Sequence, residues 1–326
     1  MRRREFITLL GGAVVGFIAP TRRLFAQARK FRIGVLALSP PKSRYLDALR
    51  GGLRERGYTD GQNLSIDVRS PRGSADQLSD IAAEFVRSSV DLIVSWTTPA
   101  TMAAKVATST IPIVFVGVSN PIDAGFIANL ARPGGNITGV SNIASDLSPK
   151  LVELLRDIVP ETKLVGVVIN PANPGSMFQL SGIEAAIRAL GFQITRAEAD
   201  KPEEYRRAFA RMKAEGAQGV VLAADGSLIE FDREVAELAI AARLPTIFQR
   251  RENAEAGGLL SYGPSLVGMF RQTAIYIDPI LKGTKPSELP VQQPTTFELV
   301  INVRTAKALG LTIPPTLLAR ADEVIE

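Results

Sequence analysis

Phe31-Arg-Ile-Gly-Val-Leu-Ala-Leu38, then Ser39-Pro40-Pro41, then Arg44–Arg56 with Leu46, Leu49 and Leu53 on one face: this stretch decides how the rest of the chain reads. The short apolar run is a buried strand, and Ser-Pro-Pro breaks it. The three leucines sit at helical spacing, and Gly57 ends that helix. Leu64–Val68 follows as a second strand, so the segment is one βαβ unit. The alternation continues with Ser74–Ser88 (helix, Leu78, Ile81, Ala82 and Phe85 inward), Leu92–Ser95 (strand) and Pro99–Thr108 (helix, with Pro in the first turn where its missing N–H costs nothing). Ile113–Val118 is a strand, Ile122–Leu130 a short helix and Ile137–Val140 a closing strand.

The pattern then restarts. Pro149–Ile158, Met177–Leu190, Pro202–Glu215 and Leu228–Ala242 read as helices, and Leu164–Ile169, Phe192–Arg196, Gly219–Ala223, Thr246–Phe248 and Leu259–Ser261 as strands. Pro264–Leu281 is a long helix, Phe297–Ile301 a strand and Arg304–Leu309 a short helix. Short strands alternating with longer helices predict an α/β fold of two Rossmann-like lobes with parallel sheets. The first lobe is expected to hold residues 29–141 plus about 264–290, the second 142–263 plus about 291–326, with the chain crossing back between Gly263 and Phe297.

The chain has 326 residues, no Cys and no His. Thiolate or imidazole zinc sites, Ser-His-Asp and Cys-His catalysis and disulfides are thereby excluded. The formal charge of +5 is misleading, because residues 1–28 carry five Arg against one Glu and the remainder is +1. The body of the protein has no electrostatic case for nucleic acid or an anionic membrane. The N-terminus reads as an export signal. Met1–Thr8 is basic, Leu9–Ala19 is apolar but half the length of a membrane span, and Ala26-Gln27-Ala28 offers small residues for cleavage. Arg3-Arg4-Glu5-Phe6-Ile7 resembles the twin-arginine signal. The expectation is an exported chain cut near Ala28.

Ligands of open α/β sheets bind beyond the carboxyl ends of the strands, so the candidate site residues are sought there. Ser39 follows the first strand. Trp96-Thr97-Thr98-Pro99-Ala100 follows the third and opens a helix, whose free N–H groups and partial positive charge suit a carboxylate. There Thr97 and Thr98 add hydroxyl donors, although capping would also explain them, and Trp96 could equally be core. Ser119 and Asn120 follow the fourth strand. In the second half, Asn170 and Asn173 lie in a double Asn-Pro turn, and Asp225 precedes Gly226, where it could take an ammonium group or cap the next helix. Tyr262 could form an apolar wall, and Arg250 and Arg251 could neutralise a ligand acid, although such pairs are more often solvated. Gly11-Gly12, Gly51-Gly52 and Gly134-Gly135 match no phosphate-binding fingerprint, and no carboxylate pair has a spacing that demands acid–base chemistry. Neither catalysis, a metal nor a cofactor is expected.

Ala107-Thr-Ser-Thr-Ile-Pro-Ile-Val-Phe-Val116, Leu130–Ser141 (LARPGGNITGVS), Phe297–Pro315 (FELVINVRTAKALGLTIPP) and Leu317–Ile325 (LLARADEVI) resemble the ABC transporter substrate-binding proteins related to tryptophan and tyrosine receptors. The resemblance spans essentially the whole chain. It implies a type I periplasmic binding fold with a three-strand hinge, a periplasmic location, a small-molecule ligand, and docking of a monomer on a membrane permease served by a separate ATPase. Nucleic acid is not an implied partner, and the membrane is reached only through the permease. The family contacts ligand from the first-strand loop and the loop opening the Thr-Pro-Ala helix, which here are Ser39, Thr97, Thr98 and Ala100. It also uses an Asp-Pro loop, where this chain has Asn120 before Pro121; that removes a charge and leaves Asp225 and Asp123 as the carboxylates for an ammonium group. Both an amino acid, aromatic or branched, and a plain organic acid stay open, as does an extracytoplasmic sensor in place of a transport receptor. An exported enzyme is the remotest alternative.

Overall fold

The computed structural model describes residues 30–71 and 75–326, so the expected export signal lies outside the described residues. Its first part runs β1 (Phe31–Ala37), α1 (Ser43–Arg54), β2 (Leu64–Arg69), α2 (Leu78–Arg87), β3 (Leu92–Trp96), α3 (Thr98–Ala107), β4 (Ile113–Val118) and β5 (Ile137–Ser141). These strands form a parallel sheet in the order β2-β1-β3-β4-β5. The second part runs α4 (Ala144–Ile158), β6 (Leu164–Ile169), α5 (Pro174–Ala189), β7 (Gln193–Glu198), α6 (Pro202–Ala214), β8 (Gly219–Leu222), α7 (Leu228–Ala241), β9 (Thr246–Phe248), α8 (Arg251–Glu255) and β10 (Leu260–Pro264). Then follow α9 (Leu266–Leu281), β11 (Phe297–Asn302), α10 (Val303–Leu309), α11 (Pro315–Leu318) and β12 (Glu323–Ile325). The second sheet has the order β12-β11-β10-β9-β8-β6-β7. The molecule is thus two α/β lobes, as the alternation of strands and helices implies.

The inner strands of each sheet are buried on both faces, which is why they read as unbroken apolar runs, whereas the edge strands β2, β7 and β12 are partly exposed. In the first, Tyr45, Leu49 and Leu53 of α1 meet Phe270, Ala274 and Ile277 of α9, while α2 and α3 cover the opposite face with Phe85, Ala100 and Ala104. In the second, α4 and α5 pack Leu151, Leu155, Ile183 and Ile187 on one face, and α6 and α7 pack Tyr205, Phe209, Met212 and Val235 on the other.

Helix α9 is the element that departs from chain order. The chain leaves β10, packs α9 on the first sheet, joins that sheet's edge through Gln292, which donates to the Gly139 carbonyl and accepts from the Ser141 N–H (3.1 and 3.0 Å), and only then returns to β11. Coming back from the first lobe, β11 enters its sheet in the reverse direction and pairs antiparallel with β10. The second sheet is therefore mixed, not wholly parallel as the βαβ pattern predicts. Three segments pass between the sheets: one after Ser141, one around Pro264 and one between Gln292 and Phe297.

Two helices differ from their sequence reading. Residues 122–130 form turns, not a helix, because Gly125 adopts φ +68° after a single turn in which Ala124 N–H donates to the Asn120 carbonyl. Helix α4 begins at Ala144, five residues before Pro149, so the proline is internal; the Asn142 side chain accepts the Ala144 N–H and starts the helix early.

Gly139 is required by its backbone. It has φ +149°, and a Cβ there would sit 2.6 Å from the Phe115 nitrogen of the neighbouring strand and closer still to its carbonyl oxygen. Gly139→Ala is expected to cost about 2–5 kcal/mol, a melting temperature lower by on the order of 5–15 °C by calorimetry; a shift of under about 2 °C would contradict it.

Candidate functional site

The carboxyl ends of the two sheets face each other across a cavity with about 740 Å³ of space unfilled by protein, including its mouth. From the first lobe it is lined by Trp96, Thr97, Thr98, Gly117 and Ser119, and from the second by Asn173, Ala224, Asp225, Gly226, Phe248, Gln249 and Arg250, with Asn142 on the first crossing segment.

The wall from β3 into α3 is strained and polar. Trp96 is 3% exposed, with its ring edge-on to Tyr45 (5.4 Å) and Phe270 (5.3 Å), so it is both core and cavity wall. Thr97 has φ +85° and ψ 160°, a region a β-branched residue rarely enters. It is held there by its N–H on the Val116 carbonyl (3.1 Å) and by its own carbonyl, which accepts from the N–H and the hydroxyl of Thr101 (3.1 and 2.9 Å). Thr97 Oγ1 is buried with no hydrogen-bond partner among the described residues. Thr98 opens α3, whose first-turn N–H groups have no intrahelical acceptor, and its Oγ1 accepts from the Ser119 N–H (3.4 Å).

The opposite wall carries the charges. Asp225 is 7% exposed; Oδ1 accepts the Ser227 N–H (2.8 Å), and Oδ2 is buried with no hydrogen-bond partner among the described residues. Burial pushes its carboxyl above the ordinary carboxylate range, while the Ser227 N–H, the Asn170 amide and the Arg250 charge pull part of that shift back. Arg250 donates from Nη2 to Asp232 Oδ1 (2.9 Å), and its Nη1 is buried with no acceptor. Asn173 caps α5 through the Gly175 N–H (3.0 Å) and donates to the Ala224 carbonyl (3.4 Å). Behind this wall Gln179 and Gln249 exchange amide hydrogen bonds (3.0 and 2.9 Å). They also hold the Ala144 and Leu222 carbonyls and the Ala224 N–H, tying α5, β8, β9 and the first crossing segment together.

The lobes touch at the cavity rim. Arg44 of α1 reaches Glu252 and Glu255 of α8 (2.8 Å to Glu255 Oε2), and Lys42 reaches Asp232 of α7 (3.1 Å). A Cβ on Gly226 would lie 2.9 Å from Thr97 Cγ2, and one on Gly175 would lie 2.7 Å from Thr98 Oγ1. Backbone from one lobe therefore approaches side chains of the other at two glycines.

Of the residues expected from sequence, Trp96, Thr97, Thr98, Ser119, Asn173 and Asp225 come together on this cavity. Five do not line it. Ser39 is buried at the end of β1, its hydroxyl unpartnered. Ala100 is fully buried because α3 turns that position onto the core beneath it. Asn120, in the left-handed region at φ 47°, turns its amide to Asp123 in its own loop. Asn170 accepts the Ala172 N–H (2.9 Å) and stands behind Asp225. Tyr262 stacks on Phe297 (6.0 Å) across the antiparallel β10–β11 pair. Conversely, Gln249, Asn142 and Gly226 line the cavity without a chemical signal of their own in the sequence. Arg250 does too, although an Arg-Arg pair ordinarily reads as surface; Arg251 is indeed outside, paired with Glu255, Glu298 and Glu323.

Two α/β lobes, three connecting segments and a cavity at the strand ends that mixes apolar and polar groups define a two-lobed small-molecule-binding protein. The chain belongs to the ABC transporter substrate binding protein family, whose model matches residues 33–325. Among its relatives is a tyrosine-binding protein from Clostridioides difficile, 26% identical over 259 residues, 79% of this chain and 74% of the relative. Among solved structures, a conserved domain protein from Vibrio cholerae superposes with TM-score 0.84 at 30% identity, covering 91% of this chain and all of that one. An ABC domain from Streptococcus pneumoniae in complex with L-Trp gives 0.83 at 27% identity, with the same coverage. This chain is accordingly the substrate-binding component of an ABC transporter, of a family that works outside the cytoplasm and delivers a small molecule to a permease.

Proposed function

We propose that this protein is a periplasmic receptor that closes on an amino acid and presents it, as a monomer, to a membrane permease driven by a separate ATPase. The observation that carries this reading is the pairing of two complementary elements across one cavity. The first turn of α3, with the Thr97 and Thr98 hydroxyls and Ser119, receives the α-carboxylate. The unpartnered Asp225 Oδ2 receives the ammonium group. A ligand without an ammonium group would leave that buried oxygen unpaired, which favours an amino acid over a plain organic acid. The relatives described as tyrosine-binding and as complexed with L-Trp agree with the amino-acid class. Without a phosphate-binding loop the chain has no ATPase of its own to offer, and a binding role needs no catalytic residue. The basic, apolar and small-residue order of residues 1–28 supports export by the twin-arginine route, with cleavage near Ala28.

Closure follows from contact free energy: ligand touches both walls in the closed form and one in the open form. A thermal-shift screen of the mature chain against amino acids and matched carboxylates tests the reading. Stabilisation by at least one amino acid, and none by its deaminated analogue, is the expected outcome; no response to any amino acid would overturn it.

The rim ion pairs should add to closure without contacting ligand. Arg44→Ala combined with Lys42→Ala is expected to weaken binding about threefold to tenfold, since partly exposed pairs are individually modest. It should also enlarge the ligand-free radius of gyration in X-ray scattering. An unchanged radius and affinity would remove these pairs from the closing mechanism.

A further inference from the structure

Arg250 supplies a feature that the pairing of α-carboxylate and ammonium does not use. It lines the cavity on the same wall as Asp225, and its Nη1 is buried with no acceptor. Its one carboxylate partner is shared: Asp232 accepts from Arg250 Nη2 (2.9 Å) and Asn253 Nδ2 (2.5 Å) through Oδ1, and from Lys42 Nζ (3.1 Å) through Oδ2. Arg250 and Lys42 therefore share one carboxylate, which leaves Arg250 only partly neutralised by it. The next carboxylate in sequence, Glu252, pairs with Arg44 through Oε1 and keeps Oε2 without a hydrogen-bond partner among the described residues, and Glu255 pairs with Arg44 and Arg251. Asp225 is the remaining acid of the wall, and its free oxygen is the one assigned to the ligand's ammonium group. The Arg250 Nη1 group therefore stands at the cavity with no hydrogen-bond acceptor among the described residues, a geometry suited to a ligand carboxylate. Leu228, Ile229 and Leu266 line the same cavity and can cover a short run of methylenes.

Resting on the amino-acid reading above, we propose that the ligand is an acidic amino acid, whose side-chain carboxylate is received by Arg250 while Asp225 takes its ammonium group.

Isothermal titration calorimetry of the mature protein with L-glutamate, L-aspartate, L-glutamine, L-phenylalanine and glutarate tests this. One of the two acidic amino acids is expected to bind at least about tenfold tighter than L-glutamine or L-phenylalanine, because only it satisfies the buried donors with opposite charge. Arg250→Met should erase that preference, costing the acidic amino acids at least about tenfold more affinity than the neutral ones; Arg250→Lys should retain part of it. Equal or tighter binding of a neutral amino acid by the wild-type protein would overturn the proposal and leave the amino-acid reading intact. Binding of glutarate, with none by any amino acid, would overturn both. An equal loss for every ligand in Arg250→Met would also overturn it, by giving Arg250 a purely structural role. Should that variant fail to fold, the wild-type ranking decides alone.

Discussion

Asp225→Asn is expected to weaken amino-acid binding about 10- to 150-fold, the worth of one hydrogen bond to a charged group in a buried site. The substitution is conservative in every other respect. The Asn oxygen can still accept the Ser227 N–H that Oδ1 accepts now, so the turn into α7 is kept. What disappears is the negative charge opposite the ligand's ammonium group. Burial holds the Asp225 carboxyl above the ordinary carboxylate range, so two pH effects follow. Below that raised value the group is neutral, and wild-type affinity should fall as pH drops through it; Asp225→Asn should show no such step. In the ligand-free protein the sign is opposite. A carboxyl with a raised folded-state pKa contributes stability that is fully present below the unfolded value and lost as pH rises through the folded one. Where it is ionised, Asp225 therefore destabilises the empty fold, and Asn should raise the melting temperature there while weakening binding. A variant that binds as tightly as wild type would remove Asp225 from ammonium recognition.

Gly175→Ala and Gly226→Ala should each weaken ligand binding about 5- to 150-fold, the effect of 1–3 kcal/mol of overpacking confined to the closed form. The atoms that an added methyl would strike belong to the other lobe, apart from Asn173 Oδ1 at 3.2 Å from the Gly175 position. They are Thr97 Cγ2 at 2.9 Å for Gly226, and Thr98 Oγ1 at 2.7 Å and Ser119 Cβ at 3.3 Å for Gly175. Thr97 cannot yield easily, since its backbone is held by three hydrogen bonds in a strained conformation. Neither glycine has a positive φ, so alanine is compatible with each backbone by itself. Gly175 lies in the first turn of α5, where alanine even favours the helix by up to about 1 kcal/mol. The signature is thus unusual for a core clash: ligand-free stability unchanged or raised, affinity lost, and a larger particle in X-ray scattering at saturating ligand. Unaltered affinity would mean that the lobes bind ligand without approaching this closely.

The strands and most helices were legible because their signals are local. Leu46, Leu49 and Leu53 mark the buried face of α1 by spacing alone, and Gly57 and Gly191 close helices because few other residues tolerate the backbone they require (φ +85° and +77°). Where local signals competed, the reading slipped. Pro149 looked like a helix start, yet the Asn142 side chain nucleates α4 earlier. Phe126 and Ile127 supply a buried apolar face over 122–130, yet Gly125 turns the chain before a second helical turn forms. In the site, Thr97, Thr98 and Asp225 could be found because they stand at strand ends in front of helices, where the geometry of an α/β unit exposes them. Arg250 and Arg251 are adjacent and chemically identical. One is half-buried against Asp232 on the cavity wall, the other pairs with three glutamates outside it, and nothing within a few residues of either distinguishes them.

By itself, then, the sequence determined an α/β chain in two series of strands and helices, with polar groups at the strand ends and a basic, apolar leader. Those properties depend on periodicity and on residues a few positions apart. Only the tertiary structure decided that β11, coming back from the first lobe, runs reversed and pairs antiparallel with β10. The same is true of the partnerless Asp225 oxygen and Arg250 nitrogen on one wall, and of the two glycines that let the lobes meet. Each of these depends on which distant segments pack together, because desolvation, charge pairing and steric contact are set by neighbours in space and not by neighbours in the chain.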